Sequence, residues 1–135
     1  MDVEIARSRL TSARVGYLAT VTAVARAHVV PCCFALDGDT LYSAVDAKPK
    51  STLDLRRVQN IRSNGAVSLL VDHYDDADWS QLWWVRVDGN GRTADNAVER
   101  ARAIALQSTK YEQYRALPPP GPVLAVDIDR WRTWP

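Results

Sequence analysis

The sequence predicts a mainly β chain with helices (α+β), arranged as a small antiparallel barrel with its helices packed outside. Three observations lead there. Six or seven short runs rich in β-branched, aromatic and other apolar residues recur along the 135 residues. Most are joined by short turn-forming stretches, which favour hairpins and so antiparallel neighbours. Two or three helical patterns are inserted among them.

The elements follow in order. Residues 3 to 13 read as a helix, with Val3, Ile5 or Ala6, Leu10 and Ala13 as an apolar stripe and Arg7, Arg9 and Arg14 outside it. Gly16 to Val21 is a strand, and His28 to Leu36 a second. Pro31 inside the second strand cannot donate to a ladder, which places it at an edge, at a bulge, or where the backbone faces a ligand. Asp37-Gly38 is a hairpin turn into a strand over Thr40 to Val45. A helix is expected from near Ser51, with Leu53, Leu55, Val58 and Ile61 apolar and Ser51/Asp54 resembling a capping box. Asn64-Gly65 ends it. Ala66 to Val71 is a nearly all-apolar strand, followed by an acidic loop over His73 to Asp78. Leu82 to Val87 is the fifth strand, Asp88-Gly89-Asn90-Gly91 a turn, and Arg92 to Ala94 the start of a sixth. Ala97 to Ala116 is the longest helical pattern, with Val98, Ala101, Ile104, Ala105, Ser108 and Tyr111 on one face. Leu117-Pro-Pro-Pro-Gly-Pro122 stops it. Val123 to Ile128 is the last strand, and a tail carries Trp131 and Trp134.

Length and composition set limits. The expected organisation is one domain over residues 1–135. A formal net charge of +1 provides no basic field for nucleic acid. No apolar run is long enough for a transmembrane helix, and the first residues lack the pattern of a signal peptide, so a cytoplasmic protein is expected. Cys32 and Cys33 are adjacent, would point to opposite faces of a strand, and read as small apolar fillers. His28 and His73 have no metal-ligand spacing. The acidic group Asp72, His73, Asp75, Asp76 and Asp78 lacks the glycine-containing EF-hand pattern, so no metal is expected. Neither G-x-S-x-G nor a GxGxxG after a strand occurs.

The stretch from Ala44 to Asp72 carries the most chemistry. Lys48 and Lys50 flank Pro49 just before the expected helix, with Arg56 and Arg57 in its second turn and Arg62 beyond. Lysines beside the free N–H groups and positive dipole end of a helix make an anion site. In a nearly neutral chain this local charge needs a reason.

The order of elements resembles the split β-barrel of the pyridoxamine-phosphate-oxidase and flavin-reductase-like superfamily. RVGYLATV followed by HVVPCCF is similar to its first two strands, and LYSAVDAKPKSTLDLRRVQNI to its third strand and phosphate-side helix. VSLLVDHYDDADWSQLWWVRVDGNGR and the C-terminal VDIDRWRTW resemble an actinobacterial branch that uses the deazaflavin coenzyme F420. Relatives usually carry a glycine in the first turn, where this chain has Thr22-Ala-Val-Ala-Arg26, so a wider hairpin is expected.

The resemblance implies a homodimer with the cofactor in a groove at its interface. Lys48, Lys50, Ser51 and Thr52 would meet the phosphate. Arg56 and Arg57 would serve the acidic tail of coenzyme F420, or form a solvated face paired with acids such as Asp54. Val30, Pro31, Cys32 and Cys33 would line the ring, largely through backbone groups. Of Trp79, Trp83 and Trp84, the last two point to opposite sides of a regular strand, so one would be core or dimer contact and another, with Trp79, a groove wall. Arg86 shares the face of Trp84 and would reach the coenzyme tail or a partner acid. The implied activity is hydride transfer between the deazaflavin and an unsaturated or electron-poor organic substrate, with a proton from solvent, Tyr74 or His73. The alternatives are an FMN-dependent oxidase or reductase, or a non-catalytic flavin or haem binder of the same fold.

Overall fold

The computed structural model describes residues 1–45 and 55–135. Seven antiparallel strands form one sheet in the order β2-β1-β5-β6-β7-β4-β3. They are β1 (Gly16–Val21), β2 (Ala27–Cys32), β3 (Ala35–Asp37), β4 (Thr40–Ala44), β5 (Ala66–His73), β6 (Trp83–Thr93) and β7 (Val123–Trp134). Four helices accompany them: α1 (Val3–Ser12), α2 (Arg56–Ser63), α3 (Ala97–Lys110) and α4 (Glu112–Ala116). The sheet curls into the half-barrel of the split-barrel fold.

The curl follows from connectivity. β2 and β3 are the two outer strands of the sheet, yet only Cys33 and Phe34 separate them in the chain. Three Cα steps span at most about 11 Å. The opposite edges of the sheet must therefore meet at Cys33–Phe34, and we call this meeting line the seam. The expected single strand His28–Leu36 breaks there because its two halves serve opposite edges.

The concave face is the core. Leu18, Phe34, Leu41, Val67, Leu69, Val71, Val85, Val87, Leu124 and Val126 are buried together, and Ala6 and Leu10 of α1 cap them. Val3 and Ile5 are about half exposed, so the apolar stripe of α1 is narrower than expected. α1 is capped by Asp2, whose carboxylate accepts from the N–H groups of Glu4 and Ile5. Buried Asn60 donates to the Thr20 hydroxyl at 3.0 Å and ties α2 to β1.

Four expectations about elements are corrected. α2 starts at Arg56 after an extended, uncapped Leu55, so Arg56 and Arg57 occupy its first turn; Ser51 and Asp54 lie outside the described residues. The Asp88–Gly91 turn does not exist. β6 runs straight through it to Thr93 with a bulge at Asp88/Gly89. The glycine is needed for close approach: a Cβ on Gly89 would fall on the Asp127 carbonyl of β7. The tail is not a tail, because Trp131 and Trp134 continue β7 opposite Val87 and Trp84 of β6. The long C-terminal helix divides at Tyr111, and its buried face is Ala103 and Gln107, with Val98, Ala101 and Ala105 exposed.

Two turns match the sequence. Gly38 takes φ +60° in the Asp37–Thr40 hairpin. Thr22 to Arg26 forms the first turn, with Ala25 at φ 63°.

Candidate functional site at the barrel seam

The seam lacks a strand ladder, so side chains satisfy its backbone. The Tyr111 hydroxyl accepts the Phe34 N–H at 3.0 Å and lies 3.1 Å and 3.0 Å from the carbonyls of Phe34 and Arg14, its acceptors. Ser43 donates to the Cys33 carbonyl at 2.8 Å. Burial pushes the Tyr111 phenol up to about 12, so it stays a neutral donor at physiological pH.

Between these ties lies a cavity of about 180 Å³ lined by Val15, Pro31, Cys32, Cys33, Ala44, Arg57 and Tyr114. Four residues expected at a cofactor site, Pro31, Cys32, Cys33 and Arg57, come together here from the end of β2 and the first turn of α2. Pro31 pairs with Tyr17 on the open edge of β2, where its missing N–H costs nothing. Cys32 is buried and Cys33 half-buried, both as free thiols. Burial pushes the Cys32 thiol up, against the pull of Ser43 and Arg57, as befits a small apolar filler. Arg57 Nε is shut off from solvent without a hydrogen-bond partner among the described residues.

The other expected residues are placed as follows. Lys48, Lys50, Ser51 and Thr52 lie outside the described residues; Ala44 and Arg57, which line the cavity, flank that stretch in sequence. Arg56 is exposed in the first turn of α2. Val30 is half-buried and packs against the core from the strand that carries Pro31. Trp83 and Trp84 do face opposite ways: Trp83 packs against the core under Arg9, whereas Trp84 lies on the convex face with Arg86. Trp84 shares a separate hollow of about 220 Å³ with Asp72, His73, Tyr74, Leu82, Trp83 and Trp134. Tyr74 and His73 thus sit in that hollow and do not line the seam. Trp79 is exposed on a single 3₁₀ turn, Trp79–Gln81.

Arg86 belongs to an open concavity of about 680 Å³ on the convex face, with Ala19, Val21, Ser68, Asp88 and Arg130 among its walls. Its guanidinium grips Asp88 at 2.9 and 3.3 Å, and Ser68 donates to the same carboxylate at 2.6 Å. Burial opposes the charge on Asp88, but Ser68 and Arg86 hold its carboxyl below the usual range.

The sequence reading missed Val15, Ala44 and Tyr114 in the cavity wall and Tyr111 behind it. The spacing Gln107, Lys110, Tyr111, Tyr114 is a helical stripe, and two polar side chains on a stripe facing the sheet were the available signal. Among the described residues no cluster of His, Cys, Asp or Glu could hold a metal ion, and no helix is long and apolar enough to cross a membrane.

The family model described as pyridoxamine 5'-phosphate oxidase matches residues 3–135. The chain belongs to that family. Solved structures agree on the fold. A conserved hypothetical protein of Mycobacterium tuberculosis is 20% identical with a TM-score of 0.79, over 99% of this chain and 84% of that one. An FAD-binding protein of Mesorhizobium loti is 20% identical with a TM-score of 0.71, over 98% and 94%. The haem storage protein HutZ of Vibrio cholerae is 18% identical with a TM-score of 0.73, over 97% and 91%. No curated protein matches the sequence.

Proposed function

We propose that this member of the family is a homodimeric oxidoreductase that holds a flavin-type cofactor at the seam, preferring the deazaflavin coenzyme F420 to FMN. The observation that carries the reading is the meeting of Pro31, Cys32 and Cys33 around one cavity with Arg57, whose Nε has no partner among the described residues. The fit is chemical. The walls combine small apolar side chains that suit a flat ring with polar surface, and the Arg57 Nε, without an acceptor among the described residues, calls for one.

The fit is also partial in size. Sites for small organic ligands run to roughly 300–1,000 Å³, and the seam cavity is about 180 Å³. It takes one portion of such a cofactor. The rest lies along the neighbouring convex face, where Tyr17, Val29 and Trp134 are exposed apolar groups that a second copy would cover.

In this reading Lys48, Lys50, Ser51 and Thr52 hold the phosphate, and Arg56 and Arg57 in the first turn of α2 attract the acidic tail. The backbone from Val30 to Cys33 orients the ring, and Val15 and Tyr114 keep water from it. Trp79, Trp84 and Arg86 serve the outer part of the groove or the partner copy. The bound cofactor supplies hydride transfer to or from an unsaturated or electron-poor substrate. The preference for the deazaflavin rests on the two first-turn arginines and on the resemblance of β5 and β6 to its users.

Haem binding is a second reading, favoured by the haem storage protein among the structural relatives. His28 is half-buried and His73 exposed, and neither lines the seam. Titration of the purified protein with coenzyme F420, FMN and haem, read by fluorescence and absorbance, separates the readings. The expected order is F420 tighter than FMN, with no histidine-ligated haem spectrum. Stoichiometric FMN retained through purification, or haem bound in preference to both, would overturn it.

A further inference from the structure

Three hydrogen-bond donors around the seam have no acceptor among the described residues. Arg57 Nε, Gln107 Nε2 and Lys110 Nζ are each closed off from solvent and unpartnered. Buried polar groups are nearly always satisfied. Three orphans in one neighbourhood, all donors, describe the chemistry of what is missing.

One of them lines the cavity and the other two lie behind its wall. Gln107 is fully buried, and its Oε1 accepts the Ala44 N–H at 3.3 Å, so its amide is fixed behind a residue of the cavity wall. Lys110 follows one turn later on the same face of α3. Its Nζ lies 3.9 Å from the centroid of Phe34, the residue after Cys33, and 5.2 Å from that of Tyr111. Arg57 lines the cavity directly. The charged and titratable groups facing Lys110 are Arg14 from the α1–β1 junction, Cys32 and Cys33 from the end of β2, and Tyr111 on its own helix. Arg14 also donates to the Lys110 carbonyl at 2.7 Å. Among the described residues no carboxylate balances this charge.

We propose that the seam is an oxyanion site, in which Gln107 and Lys110 of α3, with Arg57 at the cavity wall, bind a carboxylate or phosphate oxygen of a small ligand. It goes beyond the cofactor reading, which uses neither Gln107 nor Lys110. The cavity volume of about 180 Å³ suits a small organic acid. Burial, and next Arg14, lower the Lys110 amine to about 8, the state of a cation lacking its counter-ion. An anion in the seam would restore the charge and offer an acceptor to donors at the cavity wall and just behind it.

Only three lysines occur in the chain, Lys48, Lys50 and Lys110, so the Lys110 signal is readily assigned in side-chain-labelled protein. The experiment follows its titration by NMR in the whole chain, with acetate, benzoate and inorganic phosphate as probes. Alone, Lys110 titrates near 8; a saturating anion moves the midpoint upward. Lys110→Met weakens anion binding by about tenfold or more, the loss of one charge-assisted bond. The same variant raises the melting temperature of the ligand-free protein below pH 8, because it removes a buried, unpaired charge. Gln107→Glu keeps an acceptor for Ala44 and places a carboxylate one turn from Lys110; it raises the Lys110 midpoint and displaces the external anion.

A coenzyme titration distinguishes the two sources of the oxygen. If the cofactor supplies it, Lys110→Met weakens coenzyme and anion binding alike; if a substrate carboxylate does, only the carboxylates are lost. A midpoint that none of the three probes moves, or a Lys110→Met variant that melts lower and binds anions unchanged, overturns the site.

Discussion

Tyr111 shows how much one side chain can determine here. Its hydroxyl serves three backbone groups where the sheet has no ladder, and its ring packs on Tyr114 at 5.7 Å. Tyr111→Phe leaves the buried Phe34 N–H without a partner and should cost about 1–3 kcal/mol in denaturant unfolding. A change below about 0.5 kcal/mol would mean that the seam finds other partners. Ala25 makes the converse case. It holds a left-handed backbone in an exposed turn, a conformation that costs an L-residue about 1–2 kcal/mol. Ala25→Gly should therefore raise stability by up to about 1 kcal/mol, the strain relief less the added freedom of the unfolded chain. At the site, Arg57→Met removes one charge-assisted donor and should weaken coenzyme binding roughly tenfold with the fold intact, read by calorimetry. Unchanged affinity would take Arg57 out of the cofactor reading.

At the scale of elements, α3 is held to the sheet by charge as well as by packing. Arg92 of β6 bridges Glu99 at 2.6 and 2.8 Å and Asp127 of β7 at 2.8 and 3.2 Å, and Tyr42 of β4 donates to Glu99 at 2.8 Å. Hydrogen bonds from Arg92 and then Tyr42 hold the Glu99 carboxyl at about 2, below its ordinary 4.5. A carboxyl lowered by folding stabilises fully above its unfolded value, and that contribution is lost as pH falls from about 4.5 towards 2. Glu99→Gln should cost about 1–2 kcal/mol near neutrality, discounted for the partial exposure of both partners, with the gap closing in acid. Parallel stability curves for variant and parent down to the acid limit would contradict this.

How much of each element could be read depended on whether its cause was local. β1, the Asp37-Gly38 hairpin and α1 were legible because period, turn chemistry and cap lie within a few residues. Asp88-Gly-Asn-Gly read as a turn because its glycines signal one; the actual reason is the Asp127 carbonyl of a strand about forty residues on. The face of α3 was misread because its alanines give a weak stripe, and the partner of Gln107 is a backbone N–H in β4. The Pro31–Cys33 end of the site could be read from the proline and the family pattern. Its α3 wall could not, because that wall exists only once the sheet has curled.

At the scale of the whole molecule, curling solves one face and exposes the other. The concave face is buried core, whereas the convex face offers Tyr17 at 44% and Val29 at 61% exposure beside the Arg86–Asp88 concavity. A second copy would cover that apolar ground and complete a groove that the seam begins. Tyr17→Asp should yield a folded monomer, because the substitution places a charge on the contact and leaves the core untouched; circular dichroism with light scattering checks both halves. The most direct test of the account is sedimentation of the protein with coenzyme F420, following the visible absorbance of the coenzyme. The account predicts that the coenzyme travels with a dimer, one molecule per chain, and that FMN displaces it only in excess. Coenzyme that stays behind, or full affinity in a species of 15.1 kDa, would contradict it.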